Sequence, residues 1–508
     1  MANDPSNKAY QTCLELSHDL GLQYKLETTK DHKKKHGQFM TPPKIASFMA
    51  KTLISRKLGN NIRILDPATG TGILISALID ELFKNKKKPL SIEITAYEID
   101  PFLIEKIQKI RELALNKAET VGVFLKFEII HSDFLLSCND EKYDLIITNP
   151  PFFKIKKDDA RADLQKEIIY GQPNIYGLFM GKCSELLKSN GRVCYLTPRS
   201  WTSGKYFTKL RLKLRKINLY AAHLFESREA PFASDRIQQE SMITWFEKTE
   251  YLNNKVNLSF SIGDTDIKSR RTRTATQKEI FPQTEDGSLV LSQNPKKFSI
   301  SLLKHSLSFY GIKASTGKVV PFRTKDYLHD NCTSTTAPLY WMQHVLPMKI
   351  TWPVEMKNQN IQACPAIEKL GIKGDSNYVL VRRFSPRDSL LHVIAAPLLT
   401  KTDTRKIFIE NHLNYIYKKE NSLSTKQAIG LAFYLNSLHV ANYFSERLGH
   451  TQINAGDLNK LPSPTLLAYE QIGNHLLAGI GQPTEDELID YISGKNLRKS
   501  EAVPCLEN

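Results

Sequence analysis

Residues 144–153 read DLIITNPPFF. Leu145, Ile146 and Ile147 form an unbroken apolar run, the composition of a strand buried on both faces. The run stops at Asn149-Pro150-Pro151, because a proline cannot donate to a sheet ladder and belongs at the end of a strand, not inside it. Two rings, Phe152 and Phe153, follow at once. A core strand that ends in a stiff double proline and then presents flat aromatic surface calls for an explanation, and its neighbours supply one.

Reading outward, apolar strands alternate with amphipathic stretches. "IRILD" (62–66), "EITAYEID" (93–100), "FLKFEII" (124–130), "YDLIITN" (143–149) and "RVCYLTP" (192–198) read as strands. Helical periodicity fits "ILISALIDELF", the stretch from Pro101, and residues 174–189 and 204–216, with Asn190-Gly191 as a stop signal. "LYAAHLFE" (219–226) and "SMITWFE" (241–247) leave no room for a full helix between them, which predicts an antiparallel pair. The expected fold is α/β, built on a mostly parallel sheet whose ligand sites lie at the carboxyl ends of the strands.

The motifs fall at those ends. "LDPATGTG" (65–72) follows the first strand and opens a helix. Gly70 and Gly72 permit a tight turn and a close approach of ligand to backbone. A third glycine for a pyrophosphate is missing, and Asp66 stands at the strand tip, a poor neighbour for phosphate and a good one for an α-ammonium. Glu98, at the end of "YEID", can accept from both hydroxyls of a ribose. "HSDF" then offers Asp133 as acceptor for an exocyclic amine and Phe134 as a face for an adenine. Each acid alone reads as a helix cap; on consecutive strand tips they describe a pocket for an adenosine carrying an amino-acid tail.

The double proline has a chemical reading. An exocyclic amine shares its lone pair with the ring and is a weak nucleophile. Two acceptors, the Asn149 side-chain carbonyl and the Pro150 main-chain carbonyl, would draw it toward tetrahedral geometry. Pro150 and Pro151 stiffen the backbone so that both oxygens hold their aim, and Phe152 offers a flat apolar face for a base to stack on.

"DPATGTG", "YEID", "SDF" and "NPPF", in that order and after "GQFMTPPKIASFMA" (37–50), resemble the motif series of S-adenosylmethionine-dependent amino-methyltransferases. With the long region that follows, the order is similar to the gamma class of DNA adenine-N6 methyltransferases of type II restriction systems. "VLVRRFSP" and "INAGDLNKLPSP" look like recognition-region segments of the BsuBI/PstI-like group. The resemblance implies a Rossmann-like catalytic domain over 1–250 and a mixed α/β DNA target-recognition domain over 251–508. It implies S-adenosyl-L-methionine as cofactor, with Phe39 and Thr41 near its methionine end and Asp66, Ala68, Gly70 and Gly72 around the methionine itself. Glu98 would hold the ribose, and Asp133 and Phe134 the adenine. Asn149, Pro150, Pro151 and Phe152 would act on a flipped adenine, whose other face Phe232, or else Phe225, would cover. The family often carries Tyr where this chain has Phe39.

The remainder of the chain fits a DNA partner. Its 508 residues call for more than one domain, and a formal charge of +17 suits a polyanion. "KSRRTRTATQK" (268–278) reads as a basic linker or loop whose Arg270, Arg271 and Arg273 could clamp phosphates, and Arg382 and Arg383 are further candidates. "KVVPFR" (318–323), "APLYWM" (337–342) and "YVLVRRF" (378–384) read as strands, and 427–449 as helix. The seven cysteines are scattered without CxxC or zinc spacing, so no metal is expected. No apolar run reaches the ~18–20 residues that span a bilayer, and "MANDPSNKAY" lacks a signal-peptide core. A cytoplasmic, DNA-associated monomer of a bacterial or archaeal cell is expected, with double-stranded DNA as partner and no membrane. No PD…E-x-K nuclease signature is found, so a separate cognate restriction endonuclease is expected to do the cutting. Three alternatives remain open at this point: an RNA or protein amino-methyltransferase, the methylating subunit of a larger restriction complex, and a non-catalytic DNA-binding protein on the same scaffold.

Overall fold

The computed structural model describes residues 10–29, 32, 40–138, 140–227, 240–250, 254–281, 287–291, 300, 303–384, 393–399, 406–447, 452–479 and 481–494. Phe39 and Phe232, two of the expected site residues, lie outside them. The chain divides into two units, the first comprising Met1–Gln293 with Arg447–Gly449 and the second the remainder.

The first unit is built on nine strands: β1 (Asn61–Asp66), β2 (Ser91–Glu98), β3 (Phe124–His131), β4 (Tyr143–Thr148), β5 (Leu187–Pro198), β6 (Asn218–Phe225), β7 (Ser241–Glu247), β8 (Lys255–Ser261) and β9 (Arg271–Thr276). They lie in the order β3-β2-β1-β4-β5-β7-β6-β8-β9. β3 through β5 pair in parallel, while β7 runs antiparallel to both β5 and β6, as the short spacing predicts. The chain winds outward from β1 to β3 and then returns to place β4 on the other side of β1. That reversal opens a crevice above the carboxyl ends of β1 and β4, the position where sheets of this kind bind ligands.

Alternation of side chains divides the core between the two faces of the sheet. Ile62, Ile64, Leu145, Ile147, Cys194 and Leu196 join one apolar cluster, with α1 (Cys13–Glu27), α2 (Pro43–Leu53), α3 (Ile73–Lys84) and α4 (Pro101–Thr120) packed on it. Leu65, Ile146, Val193 and Tyr195 join the other, covered by α5 (Ile175–Glu185) and α6 (Thr208–Leu214). α2 and α4 both begin on a proline, whose missing N–H costs nothing in the first turn.

The segment 268–278 is not a loop. Its centre is β9, an edge strand paired antiparallel with β8, and Ala275 is buried beneath it. The alternation Arg-Thr-Arg-Thr-Ala-Thr is a strand pattern, but Arg271 and Arg273 share a face with buried Ala275, so the hydrophobic signal is faint. The sheet thus runs through residue 276, past position 250, which falls between β7 and β8.

The second unit is mixed α/β. Ile312–Thr316, Leu413–Lys418, Tyr378–Arg382 and Ala395–Leu398 form an antiparallel sheet in that order. A second sheet joins Leu328–His329, Asn360–Gln362, Thr336–Tyr340 and Phe408–Ile409. Of the expected strand 318–323 only Val319 makes a bridge, to Glu410, because Pro321 opens a 3-10 turn. The expected helix over 427–449 is two helices, α7 (Thr425–Asn436) and α8 (Leu438–Arg447), separated by Ser437 in an extended conformation. α9 (Leu466–Leu477) lies against α7, and α10 (Glu485–Ser493) follows.

Candidate active site

The tip of β1 carries Asp66, fully buried. Its Oδ1 accepts from the Ala68 amide at 3.4 Å, and among the described residues Oδ2 has no hydrogen-bond partner. Burial pushes this carboxyl up to about 8, and the nearby Glu98 carboxylate adds to the rise. A fully enclosed acid with an unsatisfied oxygen is a site prepared for a cation.

The turn that follows is pinned at several points. The Thr69 amide donates to Tyr97 O at 2.9 Å, and the Gly70 amide to Glu98 Oε2 at 2.7 Å. Ser17 of α1 donates to Thr71 O at 2.7 Å from behind. Gly70 has φ +58°, and a Cβ there would meet nothing within 4 Å; the open space is the crevice itself. Gly72 serves differently. It also has positive φ, but a Cβ would lie 2.8 Å from Ile110 Cδ1, so this glycine lets the turn pack against α4.

Glu98 ends β2. Its Oε1 accepts from the amides of Ile99 and Asp100, each at 2.9 Å, so with Gly70 it ties two strand tips together. Burial raises its pKa to about 7, and these amides oppose the rise. Asp133 caps a short 3-10 turn (Phe134–Leu136) by accepting from Leu135 N at 2.9 Å. Phe134 is only 1% exposed and packs on Tyr97 and Phe179, so it offers the crevice an edge of wall and little free face. From α5, the Lys182 ammonium donates to the carbonyls of Phe134 and Ser137 at 2.6 and 2.7 Å and fixes this turn.

Asn149 follows β4. Its Nδ2 donates to Thr41 Oγ1 at 3.0 Å, across 108 positions of sequence. Thr41, Ala68, Gly70, Glu98, Asp133, Phe134, Asn149 and Pro151 all line one crevice, and Asp66 is buried at the start of the turn that lines it. Pro150 is buried. Phe152 is half-buried, edge-on to Tyr176 at 6.0 Å between ring centres, and is not part of the crevice wall. Phe153 is. Arg161 is another lining residue that sequence did not suggest: it pairs with Asp159 through Nε and Nη2 at 2.8 and 2.6 Å and lies 3.6 Å from Asp133 Oδ2. Phe153 and Arg161 follow the double proline without any motif of their own, and only the path of the loop brings them back over the site. No cluster of three or more metal-ligating side chains occurs among the described residues.

The residues expected at DNA lie elsewhere. Arg270 stacks over Phe48 at 4.6 Å, and Arg271 pairs with Glu226. Arg273 is on β9 with Arg271, and Arg270 immediately precedes the strand. Arg382 Nε donates to Val345 O and Arg383 Nη1 to Asn411 O, both at 2.7 Å, so these guanidinium groups brace the second unit's own backbone. Phe225 is a core ring, 5% exposed and 4.7 Å from the His223 ring.

Residues 41–230 match the family of Eco57I restriction-modification methylases. The chain is 31% identical over 475 residues to the type II methyltransferase M.PstI of Providencia stuartii, covering 90% of this chain and 92% of that one. It is 28% identical over 463 residues to the type II methyltransferase M.BsuBI of Bacillus subtilis, covering 88% and 91%. Among solved structures, the type IIL restriction-modification enzyme MmeI in complex with DNA shares the fold at 14% identity and a TM-score of 0.53, over 95% of this chain and 72% of that one.

Proposed function

Because this chain belongs to the type II methyltransferase family represented by M.PstI, we propose that it transfers a methyl group from S-adenosyl-L-methionine to N6 of an adenine rotated out of double-stranded DNA. The mark would protect the site from a cognate restriction endonuclease. The observation that carries this reading is the convergence of Glu98, Asp133 and Asn149, from three separate strand ends, on one crevice with the glycine turn that follows Asp66.

The residues present fit the cofactor. Asp66, enclosed and with Oδ2 unsatisfied, suits the α-ammonium, and the open space beside Gly70 admits the methionine portion against main chain. Ala68 and the buttressed turn at Gly72 complete that end. Glu98 would take a ribose hydroxyl with the acceptor capacity left over from its three amide bonds. Asp133 would accept from the adenine amine, beside the edge of Phe134, with Phe153 and Phe179 as apolar walls. Bound there, the cofactor supplies a sulfonium-activated methyl group.

The chain's own residues would prepare the nucleophile. Asn149 Oδ1 and the Pro150 carbonyl accept from the two N–H bonds of the target amine and localise its lone pair. Pro150 and Pro151 hold those oxygens still, so little reorganisation is needed when charge develops. Phe152, outside the cofactor crevice, presents its ring to the extruded base. Rotating a base from the stack costs roughly a few kcal/mol, which stacking helps to offset. The alkylated nitrogen is acidic enough to release its proton to water, so no strong base is required.

The second unit is proposed as the target-recognition domain, and the β9 arginines Arg271 and Arg273 as phosphate contacts. Arg382 and Arg383, each anchored by one N–H to a main-chain carbonyl, are proposed to contribute their other donors to the recognition surface. Long-read sequencing of DNA from cells expressing the chain tests the whole reading. Modified adenine at one recurrent sequence is the expected outcome; unmodified DNA, or methylated cytosine, would overturn it.

A further inference from the structure

Among the described residues, the charged side chains that line the crevice are Glu98, Asp133 and Arg161. The cofactor reading gives a part to the two acids and none to the arginine. Arg161 lies in the short helix Ala160–Asp163, in the loop that follows the double proline. The Asp159 carboxylate accepts from Arg161 Nε at 2.8 Å through Oδ1 and from Nη2 at 2.6 Å through Oδ2, the parallel two-bond geometry of a guanidinium and a carboxylate. Asp159 is fixed in turn, since Oδ1 also accepts from the Arg161 amide at 3.0 Å as the cap of that helix. The plane of the guanidinium is thereby set by a residue that does not itself line the crevice. Its Nη1 end, which Asp159 does not use, lies 3.6 Å from Asp133 Oδ2.

That separation matters. Asp133 gives Oδ1 to the Leu135 amide at 2.9 Å, so Oδ2 is the oxygen left for a ligand. At 3.6 Å the arginine is too far away to form a hydrogen bond with it. A closed bond between the two would consume the acceptor that the cofactor's amine needs. Held apart, they present an acceptor and a donor side by side, and the polarity is unambiguous because a guanidinium only donates and a carboxylate only accepts. Adenine offers the complement: an amine N–H beside a ring nitrogen with a lone pair, the pattern that a side-chain amide reads on its N6 and N7. Hypoxanthine, with a carbonyl in place of the amine, would set oxygen against the Asp133 oxygen.

We infer that Arg161 is a specificity-determining residue for the base of the cofactor: Nη1 donates to a ring nitrogen beside the amine that Asp133 accepts from, and Asp159 keeps the arginine from closing on Asp133. This rests on the cofactor reading above. Phe153 lines the same wall from the same loop, with its ring centre 6.0 Å from the Arg161 guanidinium carbon. The loop thus starts at the residues proposed to hold the target amine and continues into those that read the cofactor's base.

Calorimetric titration of the full chain, without DNA or turnover, tests this with S-adenosylhomocysteine and its 1-deaza and 7-deaza analogues, in which carbon replaces one ring nitrogen or the other. One of the two analogues should bind the unsubstituted chain about tenfold more weakly, because the charged donor loses its acceptor. Arg161→Met should weaken S-adenosylhomocysteine about tenfold and erase that analogue's deficit, since the contact is already gone. Arg161→Lys keeps the positive charge beside Asp133 but not the planar fork, and should behave as Arg161→Met does. Asp159→Asn should also weaken binding, by releasing Arg161 onto Asp133. The inference is overturned if neither analogue shows a deficit, if the deficit survives in Arg161→Met, or if Arg161→Lys binds as tightly as the unsubstituted chain, which would leave charge balance as the only role. Affinity unchanged in Asp159→Asn would overturn the restraint assigned to Asp159. An unsubstituted chain that binds none of these ligands removes the cofactor reading itself, whereas binding indifferent to Arg161 removes this inference alone.

Discussion

At the tip of β1, the enclosed Asp66 carboxyl makes a prediction about pH. The folded, cofactor-free protein keeps protons on Asp66 and Glu98 up to about 8 and about 7. In the unfolded chain the same groups lose them near ~4. Between those limits the folded state binds more protons, so stability falls as pH rises from about 4 to 8. A cation seated on Asp66 Oδ2 favours the ionised form, so binding should release protons and tighten as pH rises toward about 8. Calorimetry of cofactor binding in buffers of differing ionisation enthalpy reads that release directly, and Asp66→Asn should reduce it to the share of Glu98. An affinity independent of pH would count against the ammonium assignment. Asn149→Ala, by contrast, should leave cofactor affinity unchanged and lower methyl transfer at least about tenfold. Tritiated-methyl incorporation measures it, and undiminished turnover would discredit the two-acceptor mechanism.

Among the elements, glycine marks where backbones must touch. A Cβ on Gly430 of α7 would lie 1.9 Å from Tyr469 O of α9, and one on Gly473 would lie 2.1 Å from Lys426 O. Both obstacles are main chain, which cannot rotate aside as a side chain does. Gly430→Ala is therefore expected to destabilise the second unit by about 2 kcal/mol or more, since the helices must separate along their length. Denaturant titration followed by far-ultraviolet circular dichroism would register this, and an unchanged midpoint would show that the pair packs less closely. In sequence these glycines look like mild helix weaknesses; nothing local says which helix approaches. β9 teaches the complementary lesson. Its strand pattern is legible once its position is known, but Arg271 and Arg273 precede Ala275 on the same face and hide it, and charge on an edge strand discourages further pairing.

Over the whole molecule, the charge of +17 predicts strongly salt-dependent association with DNA. Arg270 is the wrong arginine to remove, since its stacking on Phe48 contributes to packing within the first unit. Replacing Arg271 and Arg273 with alanine should flatten the logarithmic salt dependence by at most about 2, near ~0.9 for each phosphate no longer neutralised. Gel-shift titrations over a range of salt decide the matter, and an identical slope would take β9 out of the interface. The second unit is held together by small sheets and helix packing, and its arginines at 382 and 383 each give one N–H to a main-chain carbonyl.

Asp66, Gly70, Glu98, Asp133 and Asn149 could be named from sequence because each belongs to a short motif anchored to a strand end, and strand ends are announced by apolar periodicity. The winding of the sheet followed from the same rhythm. Phe153, Arg161 and the Thr41–Asn149 bond could not be, nor could the confinement of Arg382 and Arg383. Those depend on where loops return and on which backbone carbonyl happens to lie within reach. Local patterns encode what a residue does to its own segment; contacts between distant segments are set only when the burial of both faces of the sheet fixes every element at once.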